Sequence, residues 1–375
     1  MRRSVNGVLT SHAGALPRPA TLPGREAKDY KVRARDLSAA VAEAVRRQFE
    51  QGIGIVGDGE FGKSNFLYYV RHRLSGFGER ERKAGEEHPN DKGGRRDLTR
   101  FPDYFEARGG LYPFNNPVLF CADKIRYTGQ DHIKTDIANL RAALAAVGAE
   151  DGFLTAVSPC TVAITMPNSY YSSDDDYHIA LAEALHDEYR AVTDAGLILQ
   201  VDEPGLPGLW QQERSWSVDR YRQSFAKWVE ILNFALRDCP PSLVRVHCCW
   251  GSYRGPHVGD VGLENFIDLL FQIHAECYSI EAANPRHEHE WAIFERARVP
   301  QGKILMPGVV SHASDTVEHP ELVAQRILRY ANAVGRENVV AGTDCGLRRV
   351  HPEICWAKLE SLVSGAALAT QRLWM

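Results

Sequence analysis

Hydrophobic residues along this chain alternate between two patterns. Short runs rich in β-branched residues predict strands, and longer segments with apolar residues three and four positions apart predict helices. The predicted strands are residues 7–10, 53–56, 153–157, 197–201, 243–246, 277–280, 303–306 and 338–341. The clearest helical segments are residues 37–45, 179–192, 221–236, 263–273 and 322–334. About eight alternations predict an α/β fold, a parallel (β/α)₈ TIM barrel, with a doubly wound open sheet as the alternative.

The chain is long enough for more than one domain, but its pattern favours one. At about 150 residues per domain, 375 residues would give two or three, yet α/β barrels commonly exceed 250 residues as one unit. We therefore expect a single barrel domain over residues 1–375, with a charged loop insertion at about 77–117. Of the 22 residues in 79–100, 13 are charged. The aromatic residues after it predict either a lid or a contact between copies in a homo-oligomer: Phe101, Tyr104, Phe105, Tyr112 and Phe114.

Composition narrows the class of protein. The net charge is −4, with 44% hydrophobic and 25% charged residues, as in ordinary soluble enzymes. This charge gives no reason to expect a nucleic-acid partner, and no run approaches the roughly 18 apolar residues of a membrane helix. The amino-terminal segment lacks the apolar core of a signal peptide. We expect a cytoplasmic protein with no membrane partner, whose eight cysteines are not disulfide-bonded.

Ionisable and metal-binding side chains follow nearly every predicted strand. In a parallel barrel these strand ends converge on one face, where active sites lie. His247 and Cys249 form an H-x-C pair whose side chains point the same way in an extended chain, while Cys248 points elsewhere. With Glu281 and Cys345, also at strand ends, they would make a set suited to tetrahedral Zn²⁺. The pattern alone leaves open whether these are metal ligands or buried polar residues.

Two carboxylates, Glu60 and Asp202, follow strands at the same predicted face. Such a negative pair would suit a cationic substrate group such as an α-amine. For Asp58 and Glu203 we favour capping of the following helices or pairing with basic residues. Several histidines also lie at or just past strand ends, where a hydrogen-bonded loop residue is the more common interpretation: His12, His287, His289 and His312.

Five sequence blocks, in order, carry a resemblance to a known family. They are Ser11-His12-Ala13-Gly14-Ala15-Leu16-Pro17-Arg18, Gly57-Asp58-Gly59-Glu60-Phe61, Val201-Asp202-Glu203-Pro204-Gly205-Leu206, His247-Cys248-Cys249 and Gly342-Thr343-Asp344-Cys345-Gly346-Leu347. Each block is weak singly, but together they resemble the catalytic barrel of cobalamin-independent methionine synthases from about residue 7 to about 350. The long enzymes of that family have a second, amino-terminal barrel that this chain does not resemble.

The resemblance implies a (β/α)₈ barrel with a zinc cofactor at the carboxyl face. The family's ligands fall on His247, Cys249, Glu281 and Cys345, and its amino-acid contacts fall on Glu60 and Asp202. The G-S turn that cradles the substrate carboxylate appears here as Gly14-Ala15, so the serine hydroxyl is missing. The family's proton-donating histidine would fall near Ala313, which makes His312, one position away, the candidate catalytic residue.

The function implied is a zinc-dependent thiol S-methyltransferase that converts homocysteine to methionine. The methyl donor would be 5-methyltetrahydrofolate or a methylcorrinoid, free or protein-bound. Two alternatives are a zinc-dependent transferase acting on another thiol, such as an epoxyalkane:coenzyme M transferase-like or corrinoid-linked enzyme, and a barrel that has lost its chemistry.

Overall fold

A computed structural model describes residues 1–22, 34–83, 95–108, 117–296 and 299–375. Its centre is an eight-stranded parallel sheet, which confirms the predicted α/β TIM barrel. In chain order the elements are β1 (Leu9–Thr10), α1 (Ala34–Glu50), β2 (Ile55–Gly57), β3 (Leu74–Arg80), α2 (Arg95–Arg100), α3 (Pro102–Ala107), β4 (Val118–Tyr127), α4 (Gln130–Val147), β5 (Asp151–Val157), α5 (Pro159–Thr165), α6 (Asp174–Asp194), β6 (Ile198–Asp202), α7 (Gly205–Gln212), α8 (Val218–Ala235), β7 (Val244–Cys248), α9 (Ile267–Leu270), β8 (Cys277–Glu281), β9 (Ile304–Val310), α10 (Pro320–Val334), β10 (Val340–Thr343) and α11 (Pro352–Trp374).

The barrel runs in the order β1-β10-β9-β8-β7-β6-β5-β2. Two contacts bring β1 and β2 together at the remaining seam: the Gly54 amide donates to the Thr10 carbonyl at 3.1 Å, and the Ser11 hydroxyl donates to the Ile55 carbonyl at 3.0 Å. All eight predicted strands are present. The helical stretch predicted over residues 263–273 is shorter than expected, since it divides into a 3₁₀ turn at Leu263–Asn265 and the single-turn α9.

The core has two parts because side chains of a strand alternate between its two faces. One face of each strand packs against the surrounding helices in a large apolar cluster. The other face fills the inside of the barrel, where side chains from six strands form a small separate cluster of Ile55, Phe153, Ile198, Cys277, Ile304, Met306 and Val340. This interior is closed by side chains toward the amino ends of the strands, which leaves polar residues to gather at the carboxyl ends.

The region near residues 77–117 contains regular structure in its described part. Strands β3 and β4 form an antiparallel hairpin beside the barrel, and α2 and α3 lie between them in sequence. Phe105 of α3 and Tyr253 are buried together in a small apolar cluster with Leu98 and Phe101, so part of this region covers the barrel mouth. Residues 84–94 and 109–116, including Tyr112 and Phe114, lie outside the described residues.

A buried ion network ties this hairpin to the helices. The Arg73 guanidinium, only 3% exposed, pairs with Asp136 of α4 and, at 3.1 Å, with Glu188 of α6. The hydroxyls of Tyr69 and Tyr127 donate to the Glu188 carboxylate at 2.9 and 3.0 Å. Because both carboxylates are almost fully buried, water does not stabilise their negative charges, and the Arg73 guanidinium compensates them instead.

We expect Arg73→Met to lower the free energy of unfolding by about 3–5 kcal/mol, because it strands two buried carboxylates without a cation. Urea unfolding followed by circular dichroism measures this. Arg46→Met is the matched control: Arg46 also pairs with two carboxylates, Glu43 and Glu50, but it is 48% exposed. Its loss should cost a small fraction of that amount. Equal effects at the two sites would contradict the role assigned to Arg73.

Candidate active site

Three of the four predicted ligands lie together at the carboxyl face. His247 is the penultimate residue of strand β7, and Cys249 directly follows that strand. Cys345 lies two residues beyond β10. One side-chain nitrogen or sulfur from each lies within 4.8 Å of the other two, and the two sulfurs are 4.0 Å apart. His247 and Cys249 are buried, while Cys345 is half-buried. The barrel thus joins side chains from two distant parts of the sequence.

Cys345 differs electrostatically from the other seven cysteines. A hydrogen bond from the Cys249 thiol lowers the pKa of Cys345 well below its usual value, and His247 and His312 act in the same direction against burial. The same contact, together with burial, raises the pKa of Cys249. Burial raises the pKa of Cys121, Cys160, Cys239, Cys248, Cys277 and Cys355. Cys345 is therefore the one cysteine of the eight whose pKa is lowered.

The group fits a tetrahedral zinc ion. The Nδ1 atom of His247 is 3.0 Å from the Ser279 hydroxyl, and its buried Nε2 atom has no hydrogen-bond partner among the described residues. A ligating histidine characteristically has one nitrogen held and the other free for the metal. Two sulfurs bonded at about 2.3 Å to one tetrahedral zinc would lie about 3.8 Å apart. The observed sulfur separation of 4.0 Å is close to this value.

Glu281, the fourth predicted ligand, lies beside this group but is not one of the three. It is the last residue of β8, and its carboxylate accepts hydrogen bonds from the Trp250 amide at 3.0 Å and the Asn284 side chain at 2.9 Å. Burial lowers the pKa of His247, but the nearby Cys345 and the charges of Asp202 and Glu281 together raise it. Metal ligation by Glu281 stays a prediction.

The carboxylates Glu60 and Asp202 are both buried at the same face. Burial, and then the charge of Glu60, raise the pKa of Asp202 to about 7. Oε2 of Glu60 is buried without a hydrogen-bond partner in the described part of the chain. Glu60 has a left-handed backbone, with φ of 60°, which is uncommon for a residue with a side chain. Such strain, together with a buried unpaired acceptor, is typical of functional sites.

The Gly14-Ala15 turn packs directly on Glu60. A β-carbon built on Gly14 would lie 2.9 Å from Oε1 of Glu60 and 2.6 Å from a methyl of Thr155, and its φ is +108°. Both the contact and the backbone therefore require glycine here. Ala15 is buried, and its carbonyl accepts a hydrogen bond from Leu347 at 2.8 Å, which joins this turn to the Cys345 loop.

Sequence reasoning missed a cation inside the site. The ammonium of Lys63 is buried against the carbonyl and hydroxyl of Thr155, whose hydroxyl is 3.3 Å from Oε1 of Glu60. Its charge opposes the increase in the pKa of Asp202. Arg245, fully buried inside the barrel, also interacts with the charge of Asp202. With Asp58 buried nearby, three carboxyl groups therefore lie near two resident cations, Lys63 and Arg245. The excess of carboxyl groups leaves room for one more positive group.

His312 is a buried histidine whose ring makes no hydrogen bond in the described part of the chain, although its charge acts on Cys345. It lies two residues beyond β9, and neither ring nitrogen has a hydrogen-bond partner among the described residues. Next to it, Ala313 lines a cavity of about 260 Å³ at the barrel mouth, with Arg254, His257, Asn284 and Arg286. His312 thus lies directly before a residue that lines this cavity.

The other histidines have ordinary structural explanations. Nε2 of His12 lies 2.8 Å from the Gln48 side chain, and its Nδ1 accepts a hydrogen bond from Gly14 at 3.1 Å. Burial lowers the pKa of His12 to about 4, so the ring is neutral and supports the Gly14 turn. His289 is exposed. His287 is buried between two carboxylates outside the three-residue group.

Several supporting residues could have been found from strand alternation. Ser279 lies two positions before Glu281, and Gln200 lies two positions before Asp202, to whose carboxylate its side chain donates at 2.7 Å. Arg245 lies two positions before His247 and is fully buried inside the barrel. A polar residue two positions before a strand-end site residue lies on the same face. Lys63 carries no comparable signal, since it lies in an irregular segment.

The fold and the site define a TIM-barrel protein with a cysteine–histidine group and buried carboxylates at the carboxyl ends of its strands. Residues 151–368 match the family model described as "Cobalamin-independent synthase, Catalytic domain". The chain belongs to this family, as its sequence blocks indicate. No helix within the described ranges is both long and apolar enough to cross a membrane.

Similar proteins match over nearly their whole lengths. Methionine synthases of Saccharolobus islandicus and Sulfolobus acidocaldarius are each 24% identical over 97% of this chain, covering 95% and 93% of theirs. A B12-independent methionine synthase from Shewanella sp. W3-18-1, solved with selenomethionine, has a TM-score of 0.75 at 20% identity, covering 98% of this chain and 99% of that one. A putative vitamin-B12 independent methionine synthase from Listeria monocytogenes has a TM-score of 0.66 at 17% identity, covering 96% and 98%.

The neighbouring acids Asp58 and Glu203 accept hydrogen bonds from backbone amides next to the site. Oε1 of Glu203 accepts a hydrogen bond from the Leu206 amide in the first turn of α7 at 3.2 Å, although the N-cap position itself is Pro204. Asp58 instead accepts a hydrogen bond from the Glu60 amide at 2.9 Å and so holds the strained turn. Burial, and then the charge of Asp136, raise the pKa of Asp58 to about 6.

The raised pKa of Asp58 predicts a stability cost at neutral pH. An acid whose pKa is higher in the folded state loses stability as pH rises from its unfolded value, near 4, through about 6. Asp58→Asn keeps the acceptor for Glu60 but never ionises. Between pH 4.5 and 7.5 its stability relative to the unsubstituted protein should rise by about 2 kcal/mol, at about 1.4 kcal/mol per pKa unit. Urea unfolding at both pH values tests this, with exposed Asp131→Asn as the control. A constant difference would contradict it.

Proposed function

We propose that this protein is a zinc-dependent thiol S-methyltransferase that converts homocysteine to methionine. The observation that carries the proposal is the group of His247, Cys249 and Cys345, with a buried histidine nitrogen left without a partner. Zinc bound there would supply the positive charge that lowers the pKa of a substrate thiol to neutral pH. Two cysteine ligands suit this chemistry because they leave the site less electrophilic than three histidines would. Glu281 is the proposed exchangeable ligand.

The carboxylates favour an amino thiol as acceptor. Glu60 and Asp202 are buried and close enough that one raises the pKa of the other, so an ammonium between them would relieve their repulsion. The Gly14-Ala15 turn beside Glu60 is the proposed location of the substrate carboxylate, held without the serine hydroxyl. Two proteins similar to this chain over nearly their full lengths are named methionine synthases, which agrees with homocysteine as the acceptor.

In the proposed reaction the acceptor sulfur attacks the methyl carbon of the donor. The new S–CH₃ bond forms as the bond between the methyl group and the donor breaks, and the departing atom keeps the electron pair. If the donor is 5-methyltetrahydrofolate, that atom is a tertiary amine nitrogen, which leaves readily only when protonated. His312, with both buried ring nitrogens lacking partners among the described residues, is the proposed source of this proton.

The barrel mouth favours an anionic donor. Arg254 and Arg286 line the cavity beside Ala313, and Asp315 lies 3.3 Å from Arg254. The carboxylates of methyltetrahydrofolate would complement the excess of positive charge. A methylcorrinoid, free or protein-bound, is the alternative donor that the test below distinguishes.

Cys345→Ser should remove zinc from the protein, because a serine hydroxyl is a much poorer ligand than a thiolate. We expect less than one-tenth of the zinc bound to the unsubstituted protein, measured by elemental analysis, with unchanged circular dichroism. Cys248→Ser is the matched control, since Cys248 is buried on the other face of the same segment, against the helices. A fully zinc-loaded, active Cys345→Ser protein would exclude the proposed site.

Asp202→Asn should raise the KM for homocysteine about 30-fold or more, since loss of one partner of a buried charged pair costs at least about 2 kcal/mol. Initial rates are measured with zinc-loaded protein and, in parallel, methyltetrahydrofolate, its triglutamate and methylcobalamin as donors. The internal control is 2-mercaptoethanesulfonate, which has no amine, so its KM should not rise in the variant.

The outcomes separate the alternatives. Faster reaction of the unsubstituted protein with 2-mercaptoethanesulfonate than with homocysteine would refute the amino-thiol assignment. Turnover with methylcobalamin alone would refute the folate donor and leave the rest of the proposal in place.

A further inference from the structure

A second cluster of histidines and carboxylates lies beside the proposed zinc site. Nδ1 of His257 and Nε2 of His287 approach the same oxygen of Asp260, at 2.7 and 3.1 Å. The other nitrogen of His287 lies 3.1 Å from Glu290, and the other nitrogen of His257 lies 3.1 Å from the carbonyl of Tyr253. The side chains of all four cluster residues (His257, Asp260, His287 and Glu290) are at most 6% exposed.

This cluster differs from the zinc site in one decisive respect. Every ring nitrogen of His257 and His287 already has a partner at hydrogen-bond distance, whereas His247 has a nitrogen without one. Because both partners of His287 are carboxylates, both of its nitrogens donate. Burial alone would lower the pKa of His287, but these two hydrogen bonds outweigh burial and raise the pKa to about 9. The cluster is therefore complete as a hydrogen-bonded network without a metal.

His287 connects this network to the zinc site through Trp250. The two rings are stacked with centroids 3.6 Å apart and planes 10° apart. Trp250 directly follows Cys249, and its backbone amide donates to Glu281. Its indole nitrogen also donates to the Val261 carbonyl at 2.7 Å. A shift of the Trp250 ring would therefore move the backbone that carries Cys249 and holds Glu281.

The other side of the network reaches helix α2. The fully buried carboxylate of Asp97 accepts hydrogen bonds from the Tyr253 hydroxyl and, at 2.7 Å, from the Gly259 amide. The Tyr253 ring stacks on His257 with centroids 4.2 Å apart. The segment that follows Cys249 is thus held at both ends: His287 packs on Trp250 at its start, and Asp97 bonds Tyr253 and Gly259 further along.

We propose that His287 is a positioning residue: clamped between Asp260 and Glu290, it fixes Trp250 and so sets the positions of Cys249 and Glu281. This role rests on the zinc site proposed above. Asp97 of helix α2 holds the far end of the segment that follows Cys249, so the charged region helps to support the proposed metal site.

The test compares His287→Gln with His289→Gln. His289 is an exposed histidine in the 3₁₀ helix Glu288–Glu295, which begins directly after His287. Glutamine keeps a hydrogen-bonding side chain but loses the charge and the aromatic stack. Zinc affinity is measured by chelator competition, and ligand geometry by the cysteine-to-metal charge-transfer bands of the cobalt-substituted protein. We expect His287→Gln to weaken zinc binding about 10- to 100-fold, the usual effect of losing a residue that orients metal ligands, and to shift these bands. His289→Gln should change neither.

A folded His287→Gln protein with unchanged zinc affinity and unchanged bands would overturn the positioning role and leave the zinc site intact. Failure of the unsubstituted protein to bind zinc would instead overturn the proposed function. Two equivalents of metal per chain, one lost in His287→Gln, would show that the cluster is itself a metal site and would also overturn the proposal.

If His287→Gln does not fold, Asp97→Asn tests the other contact that holds the segment following Cys249. Asparagine keeps one acceptor for Gly259 or Tyr253 but not both, so zinc affinity should fall by a smaller factor, with a band shift in the same direction. In the unsubstituted protein, nitrogen-15 NMR should show both ring nitrogens of His287 protonated at pH 7.5. A neutral His287 ring would contradict the clamp without any variant.

Discussion

The parallel register of strands β6, β7 and β8 is the constraint on which the site depends. It places Asp202 opposite His247 and His247 opposite Ser279, so the buried carboxylate, the imidazole beside the two cysteines and the hydroxyl bonded to that imidazole lie at the same level of the barrel. A slip of one residue would turn each of these side chains to the helix-facing side of the sheet. The large apolar cluster between strands and helices opposes such a slip, because the slip would place these polar side chains among apolar ones without hydrogen-bond partners.

The barrel could be predicted from sequence because its strands are buried on both faces. Such strands read as continuous apolar runs, and all eight stand out from the helical segments between them. The hairpin of β3 and β4 was missed because its strands are partly exposed and do not form continuous apolar runs. Strand β4 (Val118–Tyr127) is half exposed and carries charged residues at Asp123, Lys124 and Arg126, while β3 contains two glycines. Its pairing is set by contacts with the barrel rather than by its own pattern.

The site was predictable only in part. Its strand-end residues could be identified because barrel geometry brings those positions together, and the family resemblance identified which of them to group. The partners of these residues depend on packing that spacing does not encode. Lys63 reaches Thr155 across 92 positions, and Asp97 reaches Tyr253 across 156. The sequence shows a charged region around Asp97, but only the fold shows that this carboxylate is buried against the segment that follows Cys249.

The pairing of Cys345 with Cys249 has a consequence for redox chemistry. A cysteine of lowered pKa beside a thiol 4.0 Å away is a combination from which disulfides form when an oxidant is present. The other cysteines are buried with raised pKa values, so among the cysteines this pair is the one suited to disulfide formation. A metal held by both sulfurs would protect them, and its loss under oxidising conditions would expose the protein to a crosslink that removes two ligands at once.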